Sequence, residues 1–207
     1  MSTSIRPVEG NRYIVTFNGT DDIMTTVTSS GDDVEAWIDE ILRVHHRRLS
    51  RLIVGFDVEW RPSYSRVQNP VAVLQLCVGR RCLVFLILHA DYVPDALIDF
   101  LANERYKFVG VGIDADVDRL SDYHFISVEN TTDLRVLAAA IMNRPELNQK
   151  GLAGLAGDVL GVQVRKPREV TMSRWDQRYL TLDQIKYAAV DAFLSFEIGR
   201  RLVDFDF

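Results

Sequence analysis

Hydrophobic and polar positions change period along the chain, and each change marks an element. Residues 12–17 and 21–28 alternate apolar and polar, as strands with one buried face do. Asn18-Gly19 between them is a tight-turn pair, so the two runs predict a β-hairpin. From Asp32 the period lengthens: Val34, Trp37, Ile38, Ile41 and Leu42 recur at helical spacing, and His45 and His46 close that helix. Leu52–Trp60 (LIVGFDVEW) reads as a buried strand ending in polar residues. Ala72–Val78 and Cys82–Leu88 predict a second hairpin. Pro94–Asn103 predicts a short helix with Pro near its first turn, and Lys107–Val111 another strand. Asp114 is the expected N-cap of the next helix. Leu134–Met142 and Leu152–Leu160 predict two more helices, punctuated by Pro145 and Gly151, and Val162–Tyr179 reads as irregular. A last helix starts at Thr181, where Thr181 and Gln184 fit a capping box, and runs to about Leu202.

Early hairpins followed by alternating strands and helices predict an α/β fold, a mixed sheet covered by helices on both sides. With 207 residues, 47% of them hydrophobic, a single domain over residues 1–207 is expected, with an N-terminal hairpin and helix at 12–46. No stretch approaches the ~18–20 apolar residues of a membrane span, and residues 1–13 hold no apolar signal core. The expectation is a soluble protein of the cytoplasm or nucleus without a membrane partner. Cys77 and Cys82 would face each other if Gly79-Arg80 makes a two-residue turn, and in a reducing compartment they are expected to stay thiols. The net charge of −5 argues against coating duplex DNA by bulk positive charge. It does not exclude nucleic acid, because a carboxylate site is negative until a cation binds. The basic residues are 20 Arg against 4 Lys, a bias that suits bidentate phosphate contacts and that a solvated surface explains equally well.

Three local patterns carry chemistry. In Asp57-Val58-Glu59, residues two apart on a strand put both carboxylates on one face. With 29 acidic residues, about one such triplet is expected by chance, so the buried strand leading to it gives it weight. In Tyr187-x-x-x-Asp191, helical spacing aims phenol and carboxylate the same way within an apolar segment, where a buried Asp needs a partner. In FVGVGIDAD a strand runs into glycines and opens a helix carrying Asp116; the third glycine of a dinucleotide fingerprint is missing. Asp114 and Asp118 beside it read as a cap and a solvated face.

Together, FDVEW, FVGVGIDADVDRL and LTLDQIKYAAVDAF resemble the three motifs of the DEDD superfamily of 3′→5′ exonucleases, and more closely the Werner-type exonuclease domain. NPVAVLQLCVGRRCLVF is similar to that family's hairpin, and KGLAGLAGDVLGV to its helix before the third motif. The resemblance covers about Leu52 to Leu202. Tyr187, four residues before Asp191, makes this the tyrosine subtype; the histidine variant would place its His at Lys186. Asp118 stands where Werner-type domains can carry an aromatic. The resemblance implies an RNase H-like (DnaQ-like) fold and two divalent ions, Mg²⁺ or Mn²⁺, held by Asp57, Glu59, Asp116 and Asp191. It also implies Tyr187 orienting the attacking water, and Glu59, Val58 and Trp60 contacting the 3′-terminal nucleotide, with Trp60 either backing the site or stacking. The chain is also similar to the plant RISC-interacting clearing 3′→5′ exoribonucleases. That likeness implies a homohexamer acting on single-stranded RNA beside Argonaute, with a Werner-type DNA exonuclease and an inactive binding module as alternatives. Tyr64, Tyr92, Tyr179, Phe205 and Phe207 are candidates for an interface patch.

Overall fold

The computed structural model describes residues 3–203. Strands β1 (Ser4–Pro7), β2 (Arg12–Phe17) and β3 (Asp21–Thr28) precede helix α1 (Gly31–Val44). Then come β4 (Ile53–Trp60), β5 (Val71–Val78), β6 (Arg81–Phe85), α2 (Asp95–Leu101), β7 (Lys107–Gly110), α3 (Ile113–His124), β8 (Thr131–Asp133) and α4 (Leu134–Ile141). The chain ends in α5 (Leu152–Leu155), α6 (Arg168–Thr171) and α7 (Leu182–Val203). The eight strands form one sheet in the order β1-β2-β3-β6-β5-β4-β7-β8. The pairs β3–β6, β4–β7 and β7–β8 are parallel and the rest antiparallel, which makes the sheet mixed, as the pattern of elements predicts.

Helices cover both faces. On one, Trp37 of α1 meets Phe100 of α2, and Phe100 meets Phe108 of β7, each edge to face. Across the other lies α7, with Gly199 against Val109 and Phe17 edge-on to Phe193. Burial of these apolar side chains, each contributing about 1.5–3 kcal/mol, holds the layers together. The capping box is made as expected: the Gln184 amide N–H donates to Thr181 Oγ1 at 3.2 Å, and the Thr181 amide donates to Gln184 Oε1 at 2.9 Å. It fixes where α7 starts, and so the height at which Tyr187 and Asp191 emerge.

Three expectations need correcting, and a fourth is refined. Helix α3 is not capped by Asp114: a left-handed Gly112 precedes it, and Asp114 lies within its first turn. Leu152–Leu160 is helical as expected, but only Leu152–Leu155 is an α-helix, and Ala156–Leu160 winds as a π-helix. The stretch after Val162 contains α6, and its Trp175 is fully buried. Cys77 and Cys82 are joined as a disulfide rather than left as thiols, because the β5–β6 register sets them directly opposite each other.

Candidate active site

Strand β4 brings Asp57 and Glu59 to the face that α7 covers. Contact is closest at Gly55, where a methyl group would collide with the Ala192 carbonyl and the Phe196 nitrogen. That approach lays Asp191 over the strand. Carboxylate oxygens of Asp57, Glu59 and Asp191 lie within 4.8 Å of one another. Asp116 comes from the first turn of α3. The turn leading to it passes close to β4 at Gly110, where a Cβ would sit 2.7 Å from the Phe56 carbonyl. Gly110 of FVGVG thus serves close backbone packing beside Asp57, and Gly112 supplies the left-handed turn into α3. Asp116 lies outside the 4.8 Å group of three, yet the charge of Asp57 acts on it; Asp116 is buried and Asp57 half-buried.

Burial raises all four carboxyls, and like charge adds to it at Asp57, Glu59 and Asp116. Asp57 is pushed up to about 7, first by burial and then by the charge of Asp191. Asp116 is pushed up to about 8 by burial and then by Asp57, with Arg119 pulling the other way. Glu59 rises well above the usual carboxylate range through burial and the charges of Asp57 and Asp191, and burial also raises Asp191. Groups that resist ionisation this strongly call for a cation, and an all-oxygen donor set suits a hard divalent ion.

The chain supplies one cation itself. Lys166, from the irregular segment before α6, donates from Nζ to Asp191 Oδ2 at 2.5 Å and lies 5.1 Å over the Tyr187 ring. Tyr187 packs on the buried Trp175, ring centroids 5.8 Å apart, and the Thr171 hydroxyl donates to its oxygen at 3.2 Å. Burial, then the charge of Asp191, pushes the Tyr187 phenol up to about 12. Trp60 at the end of β4 is half-buried, with the Arg119 guanidinium stacked 4.1 Å over its ring. Val58 turns its side chain into the core and uses its N–H on Asp57 Oδ1 at 3.0 Å, so only its backbone faces the site. Gln75 lies opposite Asp57 in the β4–β5 ladder, fully buried, with neither end of its amide hydrogen-bonded.

Lys166, Thr171, Trp175, Arg119 and Gln75 were not legible as site residues. A lone tryptophan in an otherwise polar stretch was the one available signal, since large aromatics are rarely left without packing.

A family model for 3′-5′ exonucleases matches residues 25–204. The chain belongs to this 3′-5′ exonuclease family. The exonuclease domain is 36% identical over 152 residues to the bifunctional 3′-5′ exonuclease/ATP-dependent helicase WRN of Mus musculus, covering 72% of this chain and 11% of that protein. It is 32% identical over 161 residues to a 3′-5′ exonuclease of Arabidopsis thaliana, covering 73% of this chain and 52% of the relative. The chain therefore spans about half the length of one curated relative and about a tenth of the other. Its fold is that of RNase D of Escherichia coli, with a TM-score of 0.71 at 16% identity over 87% of this chain and 44% of that one. The EXD2 exonuclease domain aligns with a TM-score of 0.51 at 27% identity over 88% of this chain and 90% of that one. The exonuclease domain is thus RNase H-like, and Asp57, Glu59 and Asp191 form a cluster fit for a divalent metal. Among the described residues, no helix is long and apolar enough to cross a membrane.

Proposed function

We propose that this exonuclease domain hydrolyses single-stranded RNA from its 3′ end in a divalent-metal-dependent reaction that releases nucleoside 5′-monophosphates. The observation that carries the metal-dependent chemistry is the convergence of Asp57, Glu59 and Asp191 within 4.8 Å, with the Tyr187 hydroxyl held beside them. An EXD2 exonuclease domain crystal, 27% identical with a TM-score of 0.50, was soaked in Mn, in keeping with this donor set.

Asp57, Glu59 and Asp191 would hold the divalent metal, with Asp116 beside Asp57 as a further ligand for the second ion. Bound divalent ions would acidify a water and offset charge on the phosphate during in-line displacement. Tyr187, with its proton held to about pH 12, acts as a hydrogen-bond partner that orients the attacking water and not as a base. Thr171 and Trp175 fix that phenol. Glu59 accepts a hydrogen bond from the terminal 3′-OH, which confines cleavage to chain ends. Trp60, braced by Arg119, walls the site at the end of β4.

The RNA preference rests on the resemblance to the plant clearing exoribonucleases. The 36% identity to the WRN protein supports DNA as the second reading. End-labelled single-stranded RNA, single-stranded DNA and duplex of one sequence, each with Mg²⁺, Mn²⁺ or EDTA, separate the two. RNA cleaved faster than DNA supports the first reading, and the reverse order the second.

The same resemblance leads us to propose a homohexamer and an Argonaute-containing partner complex. Tyr64 at 96% and Tyr179 at 80% exposure favour a protein contact. Tyr92 is tied to Asp32 by its hydroxyl, and Phe205 and Phe207 lie outside the described residues. Light scattering of a hexamer would give six times 23.6 kDa.

A further inference from the structure

Lys166 reaches the carboxylates from a segment that is neither helix nor strand, between Gly161 and α6. Its side chain keeps 31% exposure while its ammonium bonds an Asp191 side chain that keeps only 3%. The charge of Lys166 acts on Asp57 and Glu59 as well as on Asp191, opposing their mutual repulsion. A cavity of about 710 Å³ adjoins it, lined by Lys166, Lys186, Tyr187 and Asp191 among others, so the ammonium has room to swing away. Arg119, the other cation near the cluster, is held at the Asp116 side by Trp60 and by the Asn69 carbonyl at 2.8 Å.

We propose that Lys166 is an intramolecular competitor of the catalytic metal: its ammonium holds Asp191 Oδ2, and metal binding requires it to withdraw into the adjoining cavity. Metal uptake is then an exchange of one cation for another. The lysine that leaves Asp191 remains beside Tyr187, next to the cavity through which an anionic strand would approach. The ammonium therefore has two partners of the same sign, the carboxylate cluster before metal binds and the substrate backbone afterwards. Its flexible stem, attached just before Pro167, suits such a move better than a residue in a ladder would. The inference rests on the metal-binding reading of the carboxylates and is independent of whether RNA or DNA is the substrate.

The test is Mn²⁺ binding by the full chain without nucleic acid, followed by titration calorimetry and by the metal-induced rise in melting temperature. Lys166→Met removes the competing charge at similar length and is expected to bind Mn²⁺ on the order of tenfold more tightly than wild type. Its melting temperature should also rise more on metal addition. Lys166→Arg, which keeps the charge, should stay near wild type. Lys186→Met, which loses a cation lining the same cavity but paired with Asp183, should leave the affinity unchanged. Equal or weaker Mn²⁺ binding by Lys166→Met than by wild type overturns the exchange and leaves the metal site standing. No saturable binding by either protein overturns the metal site and the exchange with it.

Discussion

The α-carbon of Gly55 lies against the carbonyl of Ala192, with no space for a methyl group between them. This contact sets the distance between β4 and α7, and so between Asp57 and Asp191. Gly55→Ala is therefore expected to push α7 outward. Overpacking of this kind costs about 1–3 kcal/mol, and more where backbone atoms must move. The variant should melt lower and bind Mn²⁺ more weakly, although no carboxylate has been touched. Melting curves with and without metal check this; unaltered metal stabilisation in a folded Gly55→Ala protein would show that the spacing is not set there.

Asp57 is central to the repulsion within the cluster, since its charge raises both Glu59 and Asp116. Asp57→Ala should abolish hydrolysis while the metal-free protein melts at the same temperature or higher, because a buried like charge has been removed. The melting gain on adding Mn²⁺ should vanish. Wild-type cleavage by the purified variant would refute the metal-site assignment.

The pH dependence follows from the same groups. Asp57 near 7 and Asp116 near 8 in the folded protein lie above their ordinary value of 3.8. Between about pH 4 and pH 8 the folded state thus holds protons that the unfolded chain has released, so stability without metal falls as pH rises through that window. Divalent metal competes with those protons and binds more tightly toward pH 8. Melting in EDTA should therefore drop from pH 5 to pH 8, and saturating Mg²⁺ should reverse the trend. Asp57→Asn should flatten the EDTA slope.

The fold was legible where one period dominated. The alternation in 12–28, the apolar strand leading to Asp57 and Glu59 and the capped helix bearing Asp191 each kept its local character. The last two of these elements carry Asp57, Glu59, Tyr187 and Asp191, so those motifs could be placed on them directly; Asp116 lies on α3, whose start Gly112 sets and Asp114 does not cap. The site's supporting residues were hidden for a physical reason. Lys166 and Thr171 lie in a stretch whose order comes from tertiary contacts, including Trp175 with Tyr187 and Gln184 with Ser173 and the Arg174 carbonyl, and such contacts leave no period in the sequence. Gln75 sits in an apolar strand as one polar residue among hydrophobic neighbours, with only the strand register linking it to Asp57. The turn that brings Cys77 opposite Cys82 is legible in the sequence, whereas the bond between them depends on oxidation, which no pattern of residues sets.

Tyr187 is held by Thr171 and Trp175, so its hydroxyl can be removed with little change in packing. Tyr187→Phe should fold, bind Mn²⁺ and bind single strands as wild type does, but cleave more slowly, by roughly 10²–10⁴-fold if the hydroxyl acts in the chemical step. Thr171→Val, which leaves the phenol in place and frees its orientation, should show a smaller loss in the same parameter. Single-turnover rates make the comparison free of product release. An unchanged rate in Tyr187→Phe would reduce the residue to a packing aromatic.

Glu59 projects from the same face of β4 as Asp57, with Trp60 ending the strand beside it. If Glu59 receives the terminal 3′-OH, the enzyme needs a free hydroxyl end, and a duplex must fray before its end can enter. A 3′-phosphate places added negative charge against four carboxylates, so a 3′-phosphorylated strand should be cut far more slowly than its hydroxyl counterpart, and circular single-stranded RNA should not be cut. Glu59→Gln keeps the shape but removes the charge. It should weaken both metal binding and discrimination between the two 3′ ends, whereas loss of metal binding alone would place the end-reading elsewhere. Matched linear, 3′-phosphorylated and circular substrates followed on one gel give the comparison. Efficient opening of the circle would mean an endonuclease, and the role of Glu59 as the reader of the chain end would fall with it.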